Sequence, residues 1–565
     1  TRYGKRASDG VAATPYRLAL DVHGVGFNTA DAIARSLGLP PDSIERAEAG
    51  VVHVLQDAAD RGGHTAVERD ALASAAAELL EQDAGLAHHA IASLERSGHV
   101  VLEHDGDGCA VYRRSLHAAE VAVADRLRAI LDAPAKGAAG NPIATAAPAA
   151  ITGFERRTGM TLAPEQRAAV ELVASRKVLV VTGGPGTGKS SVTRALLSVL
   201  DAGKLSIKRA APTGRAAKRL SEATGREATT IHRLLGWDPR IKGFAHDAEH
   251  PLSCDAIILD EASMVDTLLA RSLFEAIPDH ARVILVGDVD QLPSVGPGAV
   301  LRDCIASGAI PTVRLTQIFR QAGGSSIVSA AHQINGGEMP ASDTGDAGQF
   351  YLIDPTRREP GEAAEEHVAA RAADLLFEMV TARIPQRFGL DPRRDVQVLL
   401  PMYRGPCGVD AMNQRLQAAL NPSGEGLVRG GITFRVHDKV MQLRNDYDRD
   451  VFNGDVGFVV AVDAREKRLV VEIDGRRVDY AGEHLGQLTL AYATSVHKSQ
   501  GAEYPCIVTA TLMSHFVMLS RNLLYTAVTR GKRLVVVVGE PRALKQAVRE
   551  TRREARRTGL AARLR

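Results

Sequence analysis

The hydrophobic pattern of the chain changes character twice. Beyond residue 150, short apolar runs such as Val178–Val181 end in Gly, Asp or Pro and give way to segments with helical apolar spacing. This alternation predicts strands and helices in parallel α/β sheets. Near Gly430 the period drops to two. The stretches TFRVHDKVMQL (Thr433–Leu443), DVGFVVAVDA (Asp455–Ala464) and RLVVEIDGRRVDYA (Arg468–Ala481) read as short strands parted by Asp, Asn and Gly turns, with no helix between them. They predict a small β-barrel inserted in a second α/β unit, whose pattern resumes after Thr489 and closes on RLVVVVGE. Before residue 133 the spacing is mostly helical. Ala133–Ala150, APAKGAAGNPIATAAPAA, lacks an apolar period and reads as a linker. The expected division is an N-terminal helical region (1–132), a linker (133–150), a first α/β unit (151–318), a second (319–430 and 490–550) interrupted by the barrel (431–489), and a basic tail (551–565).

Composition narrows the class. The 565 residues exceed a single core, and 45% hydrophobic with 24% charged residues is ordinary for a soluble globular protein. No apolar run approaches the ~18 residues of a membrane span, and TRYGKRASDG lacks a signal-peptide core. A cytoplasmic protein is expected. Thr1 stands where an initiating Met would, so a processed or truncated chain is expected too. The cysteines Cys109, Cys254, Cys304, Cys407 and Cys506 are far apart with no metal-ligand spacing, which predicts reduced thiols. A net charge of +2 confines any nucleic-acid site to a local groove.

The chemistry concentrates after the linker. In VLVVTGGPGTGKSSVTRALLSVL an apolar strand runs into Gly183-x4-Gly188-Lys189-Ser190 and then an amphipathic helix. Glycines let the backbone wrap phosphates with N–H groups pointing inward, and the helix start adds a favourable partial charge. Gly184, Gly186, Thr187, Gly188, Lys189, Ser190 and Ser191 are the nucleotide-binding candidates, with Lys189 on the terminal phosphates and Ser190 on Mg²⁺. A second apolar strand, in CDAIILDEAS, ends in Asp260 and Glu261. Asp260 suits Mg²⁺ held through water, and Glu261 suits polarising an attacking water. ATP and Mg²⁺ are the expected cofactors.

The ordered set of motifs resembles a superfamily-1 DNA helicase of the RecD-like family. It comprises TLAPEQRAAV, the phosphate loop, APTGRAAKRL, TTIHRLLG, DEAS, GDVDQLPSVGPG, LTQIFRQ, VLLPMYRGPCGVDAMNQRLQ, AYATSVHKSQGAEY and YTAVTRGK, from about Thr161 to Gly539. The resemblance implies two RecA-like α/β domains clamping ATP between them, an inserted SH3-like β-barrel, and single-stranded DNA crossing both domains. Gln166 matches the adenine-reading glutamine, and Glu503 an acidic residue near the nucleotide sugar. Arg320 and Arg530 match arginines that reach the γ-phosphate, where an always-charged planar fork stabilises building negative charge. Gln291, which ATP hydrolysis alone does not need, matches a residue that touches the γ-phosphate while its loop touches DNA. A neutral amide can gain and lose that contact, giving the loop two preferred positions. Pro212, Thr213, Gly214, His232, Tyr403, Arg404, Thr494 and His497 match DNA-facing motifs. For His232 and His497 the alternative is a histidine satisfied at a helix end. Hydroxyls, N–H groups and scattered cations suit phosphates rather than bases.

The resemblance further implies a monomeric motor moving 5′ to 3′ on single-stranded, forked or 5′-tailed duplex DNA, in repair or recombination. A motor or scaffold subunit of a recombination exonuclease complex and an RNA-directed translocase stay open as alternatives. Outside the motor, LDVHGVGFNTADAIARSLGL, with its Gly24-Val25-Gly26 turn, resembles a helix-hairpin-helix or is a structural hairpin. TAVERDALASAAAELL and the stretch through CAVYRR resemble a winged helix turning at Asp105–Gly108. Gly236–Ser253 reads as a separating hairpin with Trp237 as anchor and Lys242-Gly243 at its tip. The tail from Lys545 to Arg565 is either a DNA-attracting arm or a solvated helix.

Overall fold

The computed structural model describes residues 15–16, 26–105, 108–134, 142–238, 240–241, 243–318, 325–345, 347–357, 368–446, 449–551 and 555–565. Two parallel sheets dominate. The first has the strand order Thr312–Leu315, Val178–Gly183, Arg282–Gly287, Ala256–Leu259, Ile207–Ala211, Thr229–Thr230, every pair parallel. Val178–Gly183 and Arg282–Gly287 are buried at every position. That explains their continuous apolar character: helices cover both faces of a parallel sheet. Their carboxyl ends, with that of Ala256–Leu259, deliver Gly184, Asp288 and Asp260 to one edge, where ligands bind open α/β sheets.

The second sheet is again all parallel, in the order Phe350–Ile353, Gly531–Gly539, Tyr504–Thr511, Val396–Leu400, Ala493–Ser495. Between Val396–Leu400 and Ala493–Ser495 the chain builds the antiparallel insert. Its five strands run Arg476–Ala481, Arg468–Ile473, Val456–Asp463, Lys439–Gln442, Leu488–Leu490, with a bulge between Val459 and Ala461, and a separate hairpin pairs Gly426–Arg429 with Ile432–Arg435. The fold is thus α/β with two parallel sheets, an antiparallel insert and a mainly helical N-terminal region, as the pattern predicts, and it agrees with the two RecA-like domains and SH3-like insert that the resemblance implies. In that region Arg69–Leu80 and Ala84–Arg96 precede the hairpin Val100–Asp105/Gly108–Arg113, which Ala66–Glu68 extends as a third strand. Helix Phe27–Ser36 starts after Gly26, while Gly24 and Val25 lie outside the described residues.

Four expectations need correction. The linker reading fails over its second half, because Pro142–Thr158 is a helix. Ile143, Ala147, Ile151 and Phe154 recur at helical spacing and are buried against Leu196, Val199 and Leu200; alanine, the best helix former, hides that period in a bland composition. The N-terminal region is not separate from the motor either. Helix Arg114–Asp132 packs Val123, Ala124, Leu127 and Ile130 into the first sheet's core with Leu273 and Phe274. The hairpin is shorter than Gly236–Ser253: among the described residues Trp237–Asp238 pairs with Gly243–Phe244, Ala245 N and His246 N donate back to the Gly236 and Leu235 carbonyls at 3.0 Å, and Lys242 lies outside the described residues. Finally, the tail is neither a free arm nor a solvated helix. Leu560 and Leu564 are buried in the first core, and Arg563 pairs with Glu103 at 2.6 Å.

Candidate nucleotide cleft and nucleic-acid interface

The phosphate loop has the backbone its glycines allow. Gly186 and Gly188 adopt φ of 77° and 82°, a left-handed region that other residues enter at a cost. A Cβ on Gly183 would stand 2.7 Å from the Thr187 Oγ1 and 2.9 Å from the Leu315 carbonyl oxygen, so the strand cannot carry a larger residue there. Helix Lys189–Ala202 follows, pinned by buried Val192, Leu196 and Leu200. Lys189 Nζ folds back to donate to the Gly183 and Gly184 carbonyls at 2.5 and 3.0 Å, holding the ammonium over the loop. Gln166 is buried; its Nε2 donates to the Thr187 carbonyl at 3.1 Å and its Oε1 accepts from Ala163 N at 3.2 Å. It therefore braces the phosphate loop. Ser191 is half-buried and Ser190 exposed at the helix start.

Asp260 and Glu261 enter the same cavity, of about 480 Å³, which Ser190, Arg219, Glu503 and Lys532 also line. Burial, and then the neighbouring Glu261 carboxylate, push the Asp260 carboxyl up; Lys189 acts the other way. Glu261 sits at φ 50°, strain of the kind that concentrates where side chains are aimed at chemistry. Glu503 pairs with Arg219 at 2.7 Å and with Lys532 at 3.0 Å. Burial works to raise its carboxyl, but Arg219 and Lys532 outweigh that and hold it below the ordinary carboxylate range. Arg219 and Lys532 are cleft cations the motif reading passed over, although both lie inside quoted motifs. Arg219 lies on the helix Gly214–Thr224 that Thr213 caps, and Lys532 two residues beyond Arg530 at the start of strand Gly531–Gly539.

The loop after Arg282–Gly287 joins the two motor units. Gln291 Nε2 donates to the buried Asp288 Oδ2 at 3.0 Å, and Tyr525 Oη from the second unit donates to the same oxygen at 3.0 Å. That hydroxyl lies 3.0 Å from where a Gly184 Cβ would be, so Tyr525 reaches the phosphate loop itself. Leu292 N donates to Thr526 Oγ1 at 2.9 Å, and Gln500 Nε2 donates to the Leu292 carbonyl at 2.9 Å. Gln500, Tyr525 and Thr526 carry no local sign of this role, since only the crossing of the two units reveals their contacts. Arg530 is buried, donating to the Ala502 carbonyl at 3.2 Å and the Thr526 carbonyl at 3.3 Å. Arg320 lies outside the described residues.

The nucleic-acid candidates divide. Tyr403 and Arg404 are exposed, and Lys498 Nζ lies 5.8 Å over the Tyr403 ring, making an aromatic face flanked by cations. Such a patch suits a single strand. Thr213 caps helix Gly214–Thr224 by accepting from Ala216 N, beside half-buried Pro212. Gly214 is taken up by packing instead: a Cβ there would stand 2.3 Å from the Phe452 ring of the SH3-like insert. His232 packs edge-on against Trp237 and tilted against Phe244 at the hairpin base, and burial lowers its pKa. Thr494 is buried with its hydroxyl unpartnered. His497 is half-buried, its pKa lowered by burial and then by Arg556. Among the described residues no group of His, Cys, Asp and Glu forms a metal cluster, and no helix is long and apolar enough to cross a membrane.

Known proteins match this arrangement in its parts and as a whole. Residues 161–351 match an AAA domain, and residues 412–473 the ATP-dependent RecD-like DNA helicase SH3 domain. Residues 1–66 match the ATP-dependent RecD2 DNA helicase HHH domain, and residues 490–538 the UvrD-like helicase C-terminal domain. The chain is 36% identical over 574 aligned positions to the ATP-dependent RecD2 DNA helicase of Deinococcus radiodurans, covering 100% of this chain and 75% of that protein. The RecBCD enzyme subunit RecD of Mycolicibacterium smegmatis is 35% identical over 429 positions, covering 71% of this chain and 75% of its own. A solved structure of Pif1 helicase from Bacteroides, in complex with ADP-AlF3 and ssDNA, shares 21% identity over 69% of this chain and 94% of its own, with a TM-score of 0.41.

Proposed function

The chain belongs to the family of ATP-dependent RecD2 DNA helicases, and we propose that its cleft drives 5′ to 3′ movement on single-stranded DNA to open forked and 5′-tailed duplexes. Kinship with the RecD-like helicases supplies the polarity, and the observation that carries the coupling of ATP to movement is the loop Asp288–Leu292. It lies beside the phosphate loop and bonds to Tyr525, Thr526 and Gln500 of the second unit, so a change at the nucleotide is felt across the cleft.

Lys189 exchanges its loop carbonyls for the terminal phosphates of ATP. Glu261 polarises the attacking water, and Arg530 stabilises charge as it builds on the transferred group. Ser190 and Asp260 would hold Mg²⁺. The donor set fits, because a buried carboxyl that burial and Glu261 disfavour as an anion gains most from a dication. Bound there, the metal supplies charge neutralisation of the phosphates. Gln291 trades its Asp288 partner for the γ-phosphate, and Leu292 transmits the shift through Thr526 and Gln500. Tyr403, Arg404 and Lys498 track the strand by its backbone and stack without sequence reading.

The RecBCD-subunit reading has weaker support: the alignment to that relative leaves out more than a quarter of this chain, whereas that to the D. radiodurans helicase spans it. The same kinship supports a monomeric motor working in repair or recombination. Duplexes with 5′ or 3′ tails, in DNA and in RNA, test the proposal. Opening of 5′-tailed DNA alone is expected. Preferential opening of 3′-tailed or RNA duplexes overturns it.

A further inference from the structure

Arg556 lies far from the nucleotide in sequence and chemistry, yet its guanidinium is the centre around which the loop beyond Gln291 is folded. Nη1 donates to Ser294 Oγ at 2.9 Å, to the Gly296 carbonyl at 2.8 Å and to the Gly298 carbonyl at 2.6 Å, and Nη2 donates to the Ser294 carbonyl. Backbone carbonyls that converge in this way repel one another unless a cation sits between them, and a planar fork with five donors is the side chain that fits. The loop's other side is left outward: Val295, between the clamped residues, is 72% exposed. Gly63 forms the floor of the seat, since a Cβ there would stand 2.3 Å from Arg556 Cζ, and its carbonyl accepts from Gly298 N at 2.9 Å.

Arg556 is itself held from both sides. Arg302 Nη2 donates to its carbonyl at 3.0 Å. The following residues bind the N-terminal region, where Thr65 N donates to the Arg557 carbonyl at 3.0 Å and Gly559 N donates to the buried Glu120 at 2.9 Å. Leu560 and Leu564 then enter the first motor core. One end of the loop is thus fixed to the first unit and the N-terminal region. At its other end Leu292 is tied to Thr526 and Gln500 of the second unit.

We propose that Arg556 is a positioning residue of the coupling loop: it fixes the Ser294–Gly298 end, so that relative motion of the two motor units is expressed as displacement of the loop tip at Val295. This rests on the reading of Gln291 and Leu292 as the cleft's link to DNA. Without the fixed end, a pull on Leu292 drags the whole loop and the stroke at the tip is lost. The nearness of His497, whose ring feels the Arg556 charge, sets the clamp beside a DNA-facing motif.

The test measures base pairs opened per ATP hydrolysed by the full chain on a tailed DNA duplex, alongside kcat for single-strand-stimulated hydrolysis and the melting temperature. Arg556→Ala is expected to lower pairs per ATP about tenfold, with kcat at saturating single strand changing less than about threefold. Arg556→Lys keeps the charge but not the fork, and is expected to recover less than about a third of that loss. Ser294→Ala, which removes one of the acceptors and cannot unfold the strap, is expected to lower the ratio about two- to threefold. Leu560→Ala loosens the strap away from the clamp and is expected to lower the melting temperature with little change in pairs per ATP. An unchanged ratio in Arg556→Ala and Ser294→Ala, or an equal loss in Leu560→Ala, overturns the proposal. If Gln291→Ala keeps the wild-type ratio while Arg556→Ala loses it, the reading of Gln291 fails and the clamp acts through Leu292 and its ties to Thr526 and Gln500 alone.

Discussion

Replacing Gln291 by alanine tests the coupling at its narrowest point. The side chain is 9% exposed, and its amide donates at 3.0 Å to Asp288, a carboxylate with no solvent exposure. A hydrogen bond to a charged group contributes about 1.5–3 kcal/mol. If this amide moves between Asp288 and the γ-phosphate, its removal lowers the coupling free energy by at most that amount. The ATP-dependent change in DNA affinity should then shrink by up to about 10- to 150-fold. Binding of either ligand alone should change by less than about threefold, because Asp288 keeps Tyr525 Oη and Asp290 N as donors. The assay is titration of a labelled single strand with and without a non-hydrolysable ATP analogue. Gln291→Glu sharpens it: a second carboxylate would face Asp288 at hydrogen-bond distance and repel the phosphate too, so coupling should be lost more fully than in Gln291→Ala. Wild-type affinity ratios in both variants would refute the exchange.

Lys189→Ala should abolish single-strand-stimulated hydrolysis while leaving nucleotide-free strand affinity within about threefold, and Arg530→Ala should lower kcat by about 10²–10³ with a smaller change in the KM for ATP; steady-state kinetics and strand titration check both. Replacing residues 239–242 by a minimal turn should preserve stimulated hydrolysis and reduce unwinding about tenfold or more, since opening each step forfeits ~1.4 kcal/mol of stacking that only a block can make ATP-driven movement supply. Lys439, the first residue of the insert strand Lys439–Gln442, is buried and donates to the Val396 carbonyl at 2.9 Å, and burial, then Arg215, lower its pKa from 10.5 to about 7. Between those values the unfolded chain keeps a proton the folded one has shed, so stability rises with pH across that window. At about 1.4 kcal/mol per tenfold step, the penalty relieved is of order 5 kcal/mol. Lys439→Met should therefore raise the melting temperature at pH 7 and flatten its rise towards pH 9; an unchanged pH slope would count against a buried, titrating lysine.

The motor was legible in the sequence because its information is local. Gly186 and Gly188 are needed for backbone angles within one turn, Val178–Gly183 is apolar because both faces of its strand are covered, and Asp260 follows its strand directly. The insert showed itself by a change of period from helix to strand, which needs no knowledge of neighbours. What tertiary structure alone decided is who meets whom. His232, Gly214 and Thr494 carry motif positions, yet an aromatic cluster, the Phe452 ring and the sheet interior respectively claim their surroundings. Pro142–Thr158 has so few strong apolar residues that only burial against a neighbouring helix reveals its face. The basic tail shows the limit most plainly. Its charge density reads as solvated or DNA-seeking, but Arg556 is drawn inward by converging carbonyls and Arg563 by Glu103, partners more than 250 residues away along the chain. A sequence shows that a cation is present; which acceptors converge on it depends on the packing of elements that have no local signature of their meeting.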